Sequence, residues 1–172
     1  LDTIRPFIWR RSLDCGAVGE ILDITRRIRD HHAQGQAFGP GFDLKRGRGG
    51  IREVEFFAQI HQLIHGGRDA TLRAPATRDA LAALAAAGRI SRADADHLTK
   101  AYKLLRTIEH RVQMIDDRQT HMLPAGEALD RVARLHGMAD GAALLDLLGP
   151  HVARVAAIFD RLAPAPRGEL PH

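Results

Sequence analysis

A chain of 172 residues, 45% of them hydrophobic and 27% charged, carries enough apolar material for one domain with a real core. Its formal charge of +4 fits contact with something anionic without requiring nucleic acid. The single cysteine, Cys15, excludes an internal disulfide framework and favours a reducing compartment. No signal peptide is evident, and no apolar run approaches the roughly 20 residues needed to cross a bilayer, so the expectation is a cytoplasmic protein with neither membrane nor nucleic acid as partner. Ala and Leu dominate the apolar set while β-branched and aromatic residues are scarce, which is helix chemistry.

The chain opens at Leu1 without an initiator Met and ends in a Pro- and Gly-rich tail, so both ends read as cut. Pro6 suits the first turn of a short helix with Phe7, Ile8, Trp9 and Leu13, interrupted by Gly16. A helix over about 17–33 follows, its stripe Val18, Ile21, Leu22, Thr25 and Ile28, its outer face Asp23, Arg26, Arg27, Arg29 and Asp30. Six glycines and Pro40 between 35 and 50 make an irregular connection, in which Asp43, Leu44 and Lys45 can pair as an extended segment. The next helix spans about 50–65 and is ended by Gly66-Gly67. Thr77 is predicted to cap a short helix closed by Gly88.

Ser91 to Asp94 reads as a capping-box variant opening the longest helix, 91–116. Pro124 precedes a helix over about 126–136. The last helix carries Leu144, Leu148, Val152, Val155, Phe159 and Leu162, and Pro150 should kink or split it. The expectation is an all-α bundle of about six to seven helices over 1–163, with a flexible tail at 164–172.

Two helices break the ordinary amphipathic pattern. On the 50–65 helix, Ile51, Val54, Phe56, Phe57, Ala58, Ile60, Leu63 and Ile64 cover more than half the circumference, leaving Arg52, Glu55, Gln59 and Gln62 as a polar strip. Glu53 falls inside the apolar arc, where an ionised carboxylate needs an arginine, backbone N–H groups or a proton. Arg10, Arg11 and Arg106 are the candidate partners, and a buried ion pair is the ordinary explanation. On the 91–116 helix, Tyr102, Arg106, Glu109 and Gln113 line one edge of the core stripe. That edge is either a solvated margin or a polar interface with another domain or a ligand. Glu53, Glu55, Gln59, Tyr102, Arg106, Glu109 and Gln113 are together the candidates for a buried polar network.

The segment Lys45, Arg46, Gly47, Arg48, Gly49, Gly50 leads straight into a helix that continues with Arg52. Free backbone N–H groups, a helix start and four cations there would suit a phosphate or a junction with another domain; a solvated loop would have the same composition. It is neither a P-loop, lacking the Gly-Lys-Ser/Thr ending, nor a dinucleotide fingerprint. His61 and His65 mimic the spacing of a zinc-protease helix, but Gln62 replaces its glutamate and no third ligand is evident. Cys15 lacks a neighbouring base and reads as core filling. The only Asp-x-Asp pair, Asp94-Ala95-Asp96, lies in the first turns of a helix, and Asp116-Asp117 are adjacent. No catalytic or metal-binding residue is assigned.

The run from Lys45 to Phe56 with Gln59 resembles a signature of the glutamine synthetase adenylyltransferase family. The edge Tyr102, Arg106, Glu109 and Gln113, with Gln119-Thr120-His121 and Leu123-Pro124, resembles a second, and Pro6 to Asp14 resembles the segment after the family's nucleotidyltransferase core. The similarity covers essentially the whole chain, in order.

This resemblance implies a helical domain of a large, duplicated enzyme in which each half pairs such a domain with a nucleotidyltransferase core. One half attaches AMP to a tyrosine of glutamine synthetase and the other removes it by phosphorolysis, under control of PII signal proteins and glutamine. The Gly49-Gly50-Ile51-Arg52-Glu53 sequence is more like the adenylyl-removing half. It further implies that ATP or ADP and magnesium belong to the core, that this domain alone is inactive, and that its partners are that core, glutamine synthetase and a PII protein. A regulatory module docking a PII protein through Arg26, Arg27 and Arg29 is the alternative.

Overall fold

The computed structural model describes residues 15–33 and 37–162. The short helix expected near Pro6, the candidates Arg10 and Arg11, and the tail at 164–172 lie outside them. Among the described residues there are six α-helices: α1 Cys15–Ala33, α2 Ile51–His65, α3 Thr77–Ala86, α4 Arg92–Ile115, α5 Gly126–Leu135 and α6 Gly141–Leu162, with a single 3-10 turn at Ala70–Leu72. No strand occurs among these residues. The extended pairing expected near Asp43 is an isolated antiparallel bridge between Asp43 and Met122.

The helix ends follow local chemistry. Ser91 Oγ accepts the Asp94 N–H at 3.0 Å, half of a capping box; the other arm is lost because both Asp94 oxygens take Arg161 Nη2, at 2.8 and 2.9 Å. Gly88, at φ 70°, closes α3: its N–H reaches Ala85 O and that of Arg89 reaches Leu84 O, the paired bonds of a Schellman ending. Gly137 ends α5 the same way, with Met138 N–H on Ala133 O. Thr77 is not a cap. The carbonyl of Ala76 already accepts the first helical bond, from Ala80 N–H at 2.9 Å, which makes Ala76 the N-cap with no side-chain acceptor to offer.

Two apolar clusters share their walls. Val54, Phe57 and Ala58 of α2, Ala80, Leu81 and Leu84 of α3, Leu98 and Ala101 of α4, and Val155, Ile158 and Phe159 of α6 form one. Leu105, Ile108 and Val112 of α4, Leu129, Val132 and Ala133 of α5, and Leu144, Leu148 and Val152 of α6 form the other, together with Phe42, Leu44, Ile51 and Leu123. Both α4 and α6 run through the two, and Tyr102 packs against each. By length and composition α6 would be apolar enough to cross a membrane, contrary to the reading that no run qualifies. Its apolar face is the common wall of both clusters. Pro150 does not split it: α6 is one helix from Gly141 to Leu162, with Pro150 on its exposed side, where the carbonyl it leaves unpaired can meet water.

Candidate functional site

Residues 41–50 are tied down from three directions. Asp43 Oδ1 accepts the N–H groups of Lys45 and Arg46, both at 2.9 Å, an Asx turn that folds the chain back on itself. Gly47 N–H returns to Asp43 O, Gly50 N–H to Gly47 O, Ile51 N–H to Leu44 O and Arg52 N–H to Lys45 O. On the second side, Leu44 N–H reaches His121 O at 2.8 Å, Gly41 N–H reaches Leu123 O and Leu123 N–H reaches Phe42 O. On the third, Gly49 N–H is accepted by Glu53 Oε1 at 3.0 Å.

Glu53 is the third residue of α2 and 5% exposed. It therefore acts much as the acid of a capping box does, reaching back over the start of its own helix. Of the three solutions open to a buried carboxylate there, a backbone N–H is one that the fold uses. Arg106 is not its partner: it pairs with Glu109 at 3.3 Å, one turn away on α4. The expected open cradle of N–H groups is likewise not available to an anion. A buried segment must pair its own backbone, and the N–H groups of residues 45–47 and 49–52 are spent on Asp43, Gly47, Leu44, Lys45 and Glu53, leaving that of the exposed Arg48.

The side chains of the segment remain on offer. Arg46 is exposed and Lys45 is half-buried. Arg48 crosses to Asp160 of α6. Arg52, half-buried, lies over the Phe56 ring at 5.7 Å, and its Nε is buried without a hydrogen-bond partner. The close approach of Gly49 to α6 requires glycine. Its φ is 81°, and a Cβ would collide with the carbonyl of Val152. Gly50 likewise has no room, being pressed against Leu44 O and Gly47 O.

The α4 edge builds a second polar group that holds the same segment from behind. Glu109, 7% exposed, meets Arg106 Nη1 and lies 2.8 Å from His121 Nδ1. An ionised carboxylate only accepts, so that nitrogen carries the proton. Gln113 Nε2 donates to Thr120 O at 3.3 Å and Thr120 Oγ1 accepts Met122 N–H. Glu109, Arg106 and Gln113 thus come together with His121 and Thr120, while Tyr102 sits in the apolar seam.

Glu55 and Gln59 do not join this network. They lie on the outer strip of α2, Gln59 exposed, because the wheel that groups them with Arg52 also turns them away from α4. Gln62, read as part of that strip, is instead buried and donates to Leu72 O and Ala74 O, at 2.8 and 2.7 Å. It anchors the 3-10 turn. A helical wheel could not have found it or His121: Gln62 answers carbonyls ten and twelve residues away, and His121 lies on a non-periodic segment.

The acidic pairs do not fit a catalytic metal centre. Asp94 is engaged by Arg161, Asp96 is exposed, and residues two apart on a helix face different ways. No three His, Cys, Asp or Glu side chains converge among the described residues. His61 and His65 stack with ring centroids 6.0 Å apart. Burial, and then the neighbouring His65, pull the His61 pKa from 6.5 down to about 4.

Fold and site together define an all-helical domain that presents a laced, basic segment at its surface. The chain belongs to the GlnD PII-uridylyltransferase family, whose model matches residues 23–163. Its curated relatives carry a different nucleotidyl transfer in their name, bifunctional glutamine synthetase adenylyltransferase/adenylyl-removing enzyme, which bears out the resemblance read from the two signatures. It is 53% identical to the protein of that name from Caulobacter vibrioides over 138 residues, 80% of this chain and 14% of that protein. It is 49% identical to the Agrobacterium fabrum protein over 149 residues, 86% of this chain and 15% of that one. With the Xanthomonas campestris pv. campestris protein the identity is 46% over 171 residues, 97% of this chain and 18% of the relative. The chain thus spans less than a fifth of the length of these relatives.

Proposed function

We propose that this chain is the helical domain of a bifunctional glutamine synthetase adenylyltransferase/adenylyl-removing enzyme, serving the half that removes AMP from a glutamine synthetase tyrosine. The observation that carries the reading is the 46% identity to such an enzyme across 97% of the chain. In the removal reaction phosphate attacks the AMP phosphorus, ADP leaves and the tyrosine hydroxyl is restored. Nucleotide and magnesium would be held by a nucleotidyltransferase core outside this domain.

The role of the domain is to position. Lys45, Arg46, Arg48, Gly49, Gly50 and Arg52 form its face toward the core, and their fixed backbone sets where the cations meet it. The geometry supports this because Leu44, the residue just before the first signature segment, is joined to His121 of the second by a backbone hydrogen bond. Signalling through a PII protein and the substrate glutamine synthetase are the expected partners, in a cytoplasmic setting. Docking of a PII protein through the outer face of α1 draws less support, since Arg26 lies 3.7 Å from Asp23 of its own helix; Arg27 is exposed, and the Arg29 side chain lies outside those described.

Two assays test the proposal. The 172-residue chain, given adenylylated glutamine synthetase, phosphate and magnesium, should release no ADP; release would overturn the accessory role. In the full-length enzyme, Arg52→Ala should slow adenylyl removal well beyond its effect on folding. Removal at the normal rate would reduce the segment to a structural connector.

A further inference from the structure

Between the start of α3 and the middle of α4 lies a cleft of about 780 Å³. Three cations line it, Arg78 from α3 and Lys103 and Arg106 from α4, together with the hydroxyl-bearing side chains of Thr77, Tyr102 and Thr107. No carboxylate lines it.

On the described surface some cations are answered, Arg48 by Asp160, Arg161 by Asp94 and Arg118 by Asp116, while others such as Arg27, Arg46 and Arg92 stand exposed without an ion pair among the described residues; the cleft differs in that three cations converge in it from two helices. Arg78 and Lys103 make no ion pair among the described residues, and Arg106 gives one nitrogen to Glu109, keeping its other donors. Lys103 and Arg106 are neighbours on one helix, an arrangement that costs a few tenths of a kcal/mol by like-charge repulsion, and Arg78 is brought to them from a second helix. Such a concentration is unfavourable unless a negative group sits in it. The volume is that of a small-molecule site, about 300–1,000 Å³, and cations beside hydroxyls are the donor set that phosphate oxygens take.

We propose that this cleft binds a phosphate-bearing small molecule, with Arg78, Lys103 and Arg106 meeting the phosphate oxygens and the Thr77 and Tyr102 hydroxyls completing the hydrogen bonds, the Thr107 hydroxyl being already donated to Lys103 O. The site is separate from the basic segment at 45–52 and does not depend on the reading of that segment. It gives a function to Tyr102 and to the Arg106 donors that Glu109 does not take.

The test is calorimetric titration of pyrophosphate into the 172-residue chain. Saturable one-to-one binding is expected, weakened about tenfold or more by Lys103→Gln or Arg78→Gln, as loss of a charge-assisted contact should do, and unaltered by Arg46→Gln on the other basic surface. All three positions are exposed, and unchanged helical circular dichroism would show that the variants fold. No saturable binding in the millimolar range would overturn the proposal. So would binding lost in Arg46→Gln and kept in the cleft variants, or a poly-glutamate peptide held at the cleft that pyrophosphate fails to displace.

Discussion

Glu53 accepts the N–H of Gly49 at 3.0 Å, so the acid in the first turn of α2 closes the glycine-rich segment that leads into its own helix. The bond places a buried negative charge at the positive end of a helix dipole and satisfies a backbone donor with no access to water. Replacing Glu53 with Ala removes both effects and should cost about 2 kcal/mol, the range of hydrogen bonds to charged groups. Glu53→Gln keeps an acceptor and should cost about half as much. Urea denaturation of both variants measures this, and equal midpoints for wild type and Glu53→Ala would show that the bond contributes nothing.

Two glycines of similar backbone conformation should respond very differently to alanine. Gly88 has φ 70° and open space around it, so Gly88→Ala carries only the left-handed penalty, about 1–2 kcal/mol. Gly49 has φ 81° and the carbonyl of Val152 where a Cβ would go. Gly49→Ala must also push the segment off α6 and should cost at least about 3 kcal/mol. Similar losses at the two positions would mean that α6 yields freely at Val152.

Gln62 holds two carbonyls that nothing else described here satisfies by a side chain, Leu72 O and Ala74 O. Gln62→Leu fills much the same volume but strands both acceptors, and should destabilise by about 2–3 kcal/mol. Amide exchange near Ala70–Leu72 should speed up along with it. A Gln62→Leu protein as stable as wild type would place water at those carbonyls instead.

His61 sets an acid-side limit on stability. Unfolded, it titrates near 6.5; folded, burial and then His65 bring it to about 4. Between these values the unfolded chain holds more protons, so stability is full above pH 6.5 and falls as pH drops toward 4. His65 and His136, also lowered by burial and then by Arg89 and Arg111 respectively, act in the same direction. His61→Leu should flatten the profile in that window. An unchanged slope would assign the acid sensitivity to other groups.

What could be read from the chain divides along a physical line. Helices α1 to α6 were legible because each carries a periodic apolar stripe, several with a local start or stop such as Ser91 with its cap or Gly88 with its paired bonds. The burial of Glu53 and Glu109 was legible too, as acids on or beside an apolar arc. Partners from outside the helix, such as His121 beside Glu109, were not, because a wheel reports a direction and not what waits there. Glu53 meets the peptide of Gly49, one of the solutions open to it, and Arg106 pairs with Glu109 one turn on in its own helix, as their spacing allows. The carbonyls that bury Gln62, and the approach of α3 to α4 that assembles Arg78 with Lys103, arise only from tertiary packing.

The lacing of residues 41–50 bears on how a partner would meet them. A flexible basic loop spends part of its binding energy on being ordered, about 0.5–1.5 kcal/mol for each side chain immobilised and more for the backbone. Here the backbone cost is met during folding, by Asp43, Glu53, His121 and Val152. Arg46, Arg48 and Arg52 therefore stand on a base as stiff as the bundle itself. A surface pressing on those cations pushes directly on α2 and α6, and through Gly49 any tilt of α6 is relayed back to the same contacts. The segment acts as a handle for the whole domain, so that gripping it and orienting the helices become one mechanical event.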